Sequence, residues 1–173
     1  MTTAVDVTSA VSAELIRCLE GCLERVKHCV GQLSDAQLWR QPGPGMNSIG
    51  TILIHLGGNV RQHIISGVGG AADVRDRPAE FAVRDPLPAG KLLADLQATL
   101  DEAIAALQNA DADAMLQPRR VQGQQVSGWQ AAIHSVSHFY GHTQEIICLT
   151  RQMREDEYQF YWTPQTAEEG KPT

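Results

Sequence analysis

Apolar residues recur three or four positions apart in four separate stretches of the chain, which is the spacing that places them on one face of an α-helix. The pattern predicts helices over about residues 8–32, 48–66, 89–110 and 127–154. In the second stretch the spaced residues are Ile49, Ile52, Leu53, Leu56, Val60 and Ile64. Four amphipathic helices with little strand signal predict an all-α protein built as a four-helix bundle.

The segments between these helices carry recognisable boundary signals. Ser34 and Ser127 each precede a glutamine by three residues, the capping-box spacing that starts a helix. Residues 71–88 are polar, contain proline and show no periodicity, so we expect a long loop there, of a kind that is often functional. Residues 111–125 form another connection, with extended backbone expected around Val121.

The length of 173 residues is that of one domain, and a hydrophobic fraction of 43% is enough for a core. We therefore expect a single domain over residues 1–173, with the bundle at about 8–154 and a tail at 155–173. The tail is acidic and contains four aromatic residues, which we expect to dock on the bundle: Tyr158, Phe160, Tyr161 and Trp162.

The balance of charged residues limits the kinds of partner that the protein is expected to bind. Fourteen basic against 20 acidic residues give a net charge of −6, which argues against a nucleic-acid-binding surface. No apolar run approaches the roughly 18 residues of a membrane span. The first residues lack the basic start and apolar stretch of a signal peptide. These observations predict a cytoplasmic protein that binds neither membranes nor nucleic acids.

The histidines carry the strongest chemical signal. His134, His138 and His142 are spaced four apart on the last predicted helix, and each step shifts the side chain by only about 40° around the axis. Two imidazoles at this spacing can chelate one ion, and a further ligand must come from another helix. His55 is the candidate, and Asn59, one turn later, could hydrogen-bond a ligand ring. The alternative is a set of surface or hydrogen-bonded core histidines.

Two further features have a structural and a functional interpretation. Cys18, Cys22 and Cys29 follow one face of the first helix, where small buried packing residues are favoured over a redox or metal cluster. Gly57 and Gly58 interrupt the second helix at a cost of roughly 1 kcal/mol each relative to alanine. Close approach of another helix beside His55 would explain them, and simple tolerance is the alternative.

Two segments resemble the helix signatures of the DinB-like superfamily: HSVSHFYGHTQEI at 134–146 and SIGTILIHLGGNVRQ at 48–62. The stretch LSDAQLW at 33–39 is also similar, and the resemblance spans about residues 8–154. It implies a four-helix bundle with a long crossover connection, commonly homodimeric, in which three histidines hold one divalent ion.

Carried over by position, the implied ligands are His55, His138 and His142. His134 lies one turn earlier and is expected beside the ligands or in the pocket, with a core or surface role as the alternative. Gln144 and Glu145 replace the Gly-Gln that the family often has there, so no family role passes to them. The metal is a divalent ion such as Zn or Ni, since three imidazoles do not discriminate among these.

Three histidine ligands leave coordination positions open, which is typical of catalytic metal sites. Characterised DinB-like relatives include enzymes that use low-molecular-weight thiols. The resemblance thus implies a metal-dependent enzyme that activates such a thiol for S-transfer to a small electrophile. The alternatives are a hydrolase acting through a metal-bound water and a non-catalytic, stress-associated metal-binding module. The first helix modestly supports the implied homodimer, because it has apolar residues outside its main stripe: Ile16, Leu19, Leu23 and Val30.

Overall fold

The computed structural model describes residues 4–83 and 86–162, which form a helical bundle with a small hairpin at one end. The helices are α1 (Ala4–Val30), α2 (Asp35–Leu38), α3 (Ile49–Val60), α4 (Arg77–Phe81), α5 (Ala89–Asn109), α6 (Ala112–Leu116) and α7 (Gly128–Arg154). The strands are β1 (Pro118–Val121) and β2 (Gln124–Ser127). The all-α prediction is confirmed, with four long helices at about the predicted positions.

The four long helices form a closed ring around the core. α1 packs against α7 and α5, and α3 packs against the same two helices. Consecutive long helices α1 and α3, like α5 and α7, therefore lie diagonally across the bundle. The connections between them cross its ends, as expected for a bundle with a long crossover.

The buried face of α1 differs from the predicted stripe. Leu19, Leu23 and Val30 are all in the core, whereas Val11 is 37% exposed. Three of the four apolar residues that had indicated a second face are thus covered within the chain, and the fourth, Ile16, is partly buried. The homodimer stays a prediction without this support from α1.

Two of the three cysteines on α1 are packing residues. Cys22 and Cys29 are buried in the core, and burial raises the pKa of both thiols above the usual value. Cys18 is partly exposed on the same helix. A raised pKa suppresses the thiolate form that redox and metal chemistry requires, so the interpretation as packing residues holds for Cys22 and Cys29.

The second predicted helix changes character along its length. Ser48 caps α3 by accepting a hydrogen bond from the Thr51 amide at 3.1 Å. After Val60 the chain continues as a π-helical turn, Arg61–Ser66, in which the Gly67 amide donates to the Gln62 carbonyl at 3.0 Å. Such wide turns recur at functional sites in helices.

Both long connections contain short elements: the extended backbone expected around Val121 is confirmed as strand β1, whereas α4 and α6 were not predicted. Within 71–88, Asp76 caps α4, which packs against α3. Within 111–125, α6 precedes the antiparallel hairpin of β1 and β2, with Val121 opposite Gln124. Gln122 and Gly123 both have positive φ at its turn, the conformation that two-residue hairpin turns favour.

The start of the predicted tail docks on α1. The Gln159 amide donates to the Gln32 side chain at 2.8 Å, and the Gln159 carbonyl lies 2.7 Å from His28 Nε2. Tyr158 packs against the core. Docking of the tail is confirmed at Tyr158, Gln159 and Tyr161, whereas the Phe160 and Trp162 side chains are mostly exposed. Residues 163–173 lie outside the described part of the chain. Among the described helices, none has both the length and the apolar character to cross a bilayer.

Candidate metal centre

Three of the predicted histidines come together between α3 and α7. His55 on α3 is 7% exposed, and His138 and His142 on α7 are partly buried. Each offers a ring nitrogen that lies within 4.8 Å of the other two. The Nε2 atoms of His55 and His138 are 2.9 Å apart. The predicted convergence of these rings from two helices is therefore present in the fold.

Two carboxylates set the orientation of the rings. Glu80 Oε2 lies 2.8 Å from His55 Nδ1, and Glu145 Oε2 lies 2.7 Å from His142 Nδ1. A carboxylate only accepts, so Nδ1 of His142 carries the proton and its Nε2 keeps the lone pair. The same assignment follows for His55, because Arg75 Nη2, 3.2 Å from His55 Nδ1, has Glu80 Oε2 as a nearer acceptor at 2.9 Å. This is the arrangement by which carboxylates orient metal-binding histidines.

The donor set fits a divalent ion. The 2.9 Å separation of the Nε2 atoms of His55 and His138 allows both nitrogens to lie about 2.0–2.1 Å from one ion, the usual Zn–N distance. The third nitrogen, from His142, belongs to the same cluster. Three neutral imidazoles without a carboxylate ligand would leave coordination positions for a further molecule.

The electrostatics favour neutral rings. Burial, together with the neighbouring His142 and His55, lowers the pKa of His138 to about 4. Burial also lowers the pKa of His55, and this effect outweighs the nearby Glu80, which acts in the opposite direction. Neutral imidazole is the form that binds metal, so the site is prepared for an ion at neutral pH.

Glu80 is itself held in place by a buried arginine. Its carboxylate accepts from Arg75 Nε at 2.6 Å and from Arg75 Nη2 at 2.9 Å, and only 2% of the Arg75 side chain is exposed. Arg75 Nη1 also donates to Gln62 Oε1 at 2.8 Å. Burial alone would raise the pKa of Glu80, but the hydrogen bonds from Arg75 and His55 lower it below the usual value. Glu80 is therefore an ionised acceptor for His55.

The double glycine of α3 makes room for this carboxylate. A Cβ atom on Gly58 would lie 1.9 Å from Glu80 Oε1 and 3.1 Å from Arg75 Nε. A Cβ on Gly57 would meet only Leu96 Cδ1, at 4.0 Å. The sequence predicted that another segment approaches this helix closely beside His55. That approach is present at Gly58, which lies against Glu80 of α4 and against Arg75.

His134 and Asn59 lie beside the three clustered histidines but contribute no atom to the cluster. The His134 ring is exposed. It stacks near-parallel to His138, with 5.9 Å between ring centres, and on His63 at 4.6 Å with the ring planes 29° apart. Asn59 Oδ1 accepts from the Ser135 hydroxyl at 2.9 Å, and the Asn59 carbonyl lies 3.1 Å from His63 Nδ1. The suggested bond from Asn59 to a ligand ring is replaced by these contacts, because its side chain turns toward Ser135.

Four residues that contribute to the site were not assigned a role in it from the sequence. Glu145 follows His142 by three residues on one helix, and that spacing alone would have identified it. Arg75, Glu80 and Phe81 belong to the aperiodic connection, where Asp76 and Pro78 signal only that a helix begins. The Phe81 ring lies 5.1 Å from the His55 ring and is 40% exposed, so it forms an apolar wall beside the site.

Comparison with known proteins agrees with this architecture. A solved structure similar to this chain is the DinB-like protein YjoA from Bacillus subtilis, with 13% sequence identity and a TM-score of 0.65. The match covers 88% of this chain and 99% of YjoA, and at that identity it shows a shared fold. No curated protein matches the sequence significantly.

The family assignment comes from the sequence itself. A family model described as "Protein of unknown function (DUF1572)" matches residues 8–167, nearly the whole chain. The resemblance to DinB-like proteins seen in the two histidine segments is thereby confirmed, in both sequence and fold. The chain belongs to the DUF1572 family, a DinB-like family of helical bundles.

Proposed function

We propose that His55, His138 and His142 hold one divalent metal ion, and that the protein is an enzyme that activates a low-molecular-weight thiol for S-transfer to a small electrophile. The observation that carries the metal proposal is the convergence of three imidazole nitrogens within 4.8 Å, two of them on rings fixed by carboxylates. A divalent ion such as Zn or Ni would supply Lewis acidity that lowers the pKa of a coordinated thiol toward neutrality.

The chain's own residues would prepare the site for this chemistry. Glu80 keeps the proton of His55 on Nδ1, so that Nε2 is available as a ligand. Glu145 does the same for His142. The exposed Phe81 ring offers an apolar surface to the electrophile. The cytoplasm, the location expected from the sequence, keeps such thiols reduced.

The reaction can be tested with 1-chloro-2,4-dinitrobenzene and a panel of low-molecular-weight thiols. The thiol sulfur forms the new C–S bond, chloride leaves with the C–Cl electron pair, and the thiol proton passes to solvent. We expect an absorbance increase that requires both metal and thiol and is lost in His138→Ala. Turnover of ester substrates that needs metal without thiol would favour a hydrolase. Absence of both activities in the metal-loaded protein would favour a non-catalytic metal-binding module.

Stability of the metal-free protein should fall in acid. The pKa of His138 is about 4 in the fold against an ordinary value of 6.5, so between these values the unfolded chain binds the extra proton. Stability is therefore fully present above about pH 6.5 and is lost as the pH falls toward 4. Because the ring is half-exposed, we expect a loss on the order of 1–2 kcal/mol after solvent screening.

Urea denaturation of chelator-treated protein at pH 7.5 and pH 4.5 measures this loss. His138→Gln removes the titrating ring while keeping a polar side chain, and its stability should depend less on pH than that of the wild type. An equally steep dependence in His138→Gln would contradict the assignment to this histidine.

The homodimer belongs to the proposal as well. Light scattering at micromolar concentration should give about twice the chain mass of 18.9 kDa. An obligate dimer is expected to bury on the order of 2,000 Å² or more in total. A mass near that of one chain would show that the bundle acts as a monomer.

A further inference from the structure

A cavity lies on the side of α7 that faces away from His138 and His142. It has a volume of about 290 Å³ and is bounded by α1, α7 and the docked tail. Tyr140 on its wall is two residues from both His138 and His142, which places it about 200° around the helix from them. The cavity is therefore separate from the candidate metal centre.

Aromatic residues are concentrated at this cavity. The chain has three residues each of Trp, Tyr and Phe, and five of these nine line its wall. They are Tyr140, Tyr158, Phe160, Tyr161 and Trp162. Phe160, Tyr161 and Trp162 remain 64%, 48% and 57% exposed, although burial of such rings is strongly favourable. Their surface is available to a ligand.

Contacts with α1 and between neighbouring rings hold residues 158–161 of this wall in place. The Gln159 amide donates a hydrogen bond to the Gln32 side chain. The Gln159 carbonyl accepts one from the Gln32 side chain and also contacts the His28 ring. The Tyr158 and Phe160 rings meet edge to face at 5.2 Å, and Tyr161 meets His28 at 5.4 Å. A cavity with a preformed aromatic wall loses little conformational entropy when a ligand binds.

Two arginines bring positive charge to the same cavity. Arg151 places its guanidinium carbon 5.2 Å from the centre of the Phe160 ring, and Arg25 lines the opposite helix. Within residues 4–83 and 86–162, neither arginine forms a salt bridge, whereas Arg154 pairs with Glu157. The residues lining this cavity include no Asp or Glu, in a chain of net charge −6. The cavity is thus complementary to a negatively charged, aromatic ligand.

We propose that this cavity binds a small aromatic carboxylate. Its ring would stack among the five aromatic side chains, and its carboxylate would accept hydrogen bonds from Arg25 and Arg151. Guanidinium groups match the planar geometry of a carboxylate, which favours this anion. The volume is close to the lower end of ligand pockets, roughly 300–1,000 Å³, and suits a molecule of one or two rings.

Indole-3-acetate is a suitable probe, with neutral 3-methylindole as the matched compound that lacks the carboxylate. Isothermal titration calorimetry should show saturable binding of indole-3-acetate and affinity at least about tenfold weaker for 3-methylindole, the effect of losing about 1.4 kcal/mol. Arg151→Gln and Arg25→Gln should each weaken indole-3-acetate binding by about tenfold. Arg120→Gln, at an exposed arginine on β1, is the matched control and should leave it unchanged.

Several results would overturn the proposal. They are absence of saturable binding at millimolar concentration, equal affinity for the neutral compound, and unchanged affinity in both Arg25→Gln and Arg151→Gln. Conversion of a dimer into a monomer by Phe160→Ala, measured by light scattering, would identify the surface as a subunit interface instead. Metal content should be unaffected in Arg151→Gln, so failure here and failure of the metal proposal are distinguishable.

Discussion

Replacement of His138 by alanine is expected to remove nearly all bound metal. His138 Nε2 lies 2.9 Å from His55 Nε2, so its loss would leave the remaining nitrogens unable to enclose an ion. His55→Ala and His142→Ala should have effects of the same kind, since each supplies one of the three clustered nitrogens. We expect metal affinity to fall by at least about a hundredfold in each variant, equivalent to nearly 3 kcal/mol. Elemental analysis of purified, untagged protein measures the occupancy.

His134→Ala provides the matched control on the same helix. Its ring stacks 5.9 Å from His138 and contributes no nitrogen to the cluster, so this variant should keep most of its metal. Equal metal content in His134→Ala and the three triad variants would contradict the ligand assignment. Circular dichroism of each variant separates loss of the ion from loss of the fold.

Gly58→Ala is expected to damage the centre without touching a ligand. The new Cβ would lie 1.9 Å from Glu80 Oε1, so the Glu80 carboxylate must move away from His55 and Arg75. Loss of such a supporting carboxylate typically lowers metal affinity by about 10–100-fold. Separation of the buried Arg75–Glu80 pair should also reduce the free energy of unfolding by about 2–4 kcal/mol.

Gly57→Ala is the neighbouring control in the same helix. Its Cβ would make an ordinary contact with Leu96 at 4.0 Å, and alanine stabilises a helix by up to about 1 kcal/mol relative to glycine. Gly57→Ala should therefore bind metal normally and be at least as stable as the wild type. Chelator competition and urea denaturation of the two variants make the comparison, and indistinguishable results would exclude the steric role of Gly58.

The bundle and the histidine cluster were predictable because both depend on spacing within a helix. Apolar residues three or four apart located the long helices, and a four-residue spacing placed His138 and His142 on one face. His55 followed from its apolar neighbours on α3. These are local regularities, and tertiary packing preserves them.

The supporting residues were not predictable in this way. Glu80 reaches His55 from 25 positions along the chain, out of a connection whose sequence has no period. Such a contact depends on how α4 folds back on α3, which no local spacing encodes. The prediction of the buried face of α1 was wrong for a related reason. That helix has apolar residues around much of its circumference, so packing against α7 and α5 decides that Leu19 is buried and Val11 is not.

Glu80 belongs to a connecting segment, so binding of an ion at the histidines would depend on whether that segment is folded against α3. Residues 72–81 are joined to α3 and the π-helical turn by side-chain hydrogen bonds, including the one from Gln62 to Asp73 at 2.8 Å. When this segment opens, His55 loses its acceptor, so the apparent affinity for the proposed ion would scale with the fraction of molecules in which the segment is closed. By reciprocity, a bound ion would slow amide hydrogen exchange in Arg77–Phe81. Occupancy of the centre would then report the order of this segment as well as the concentration of free metal.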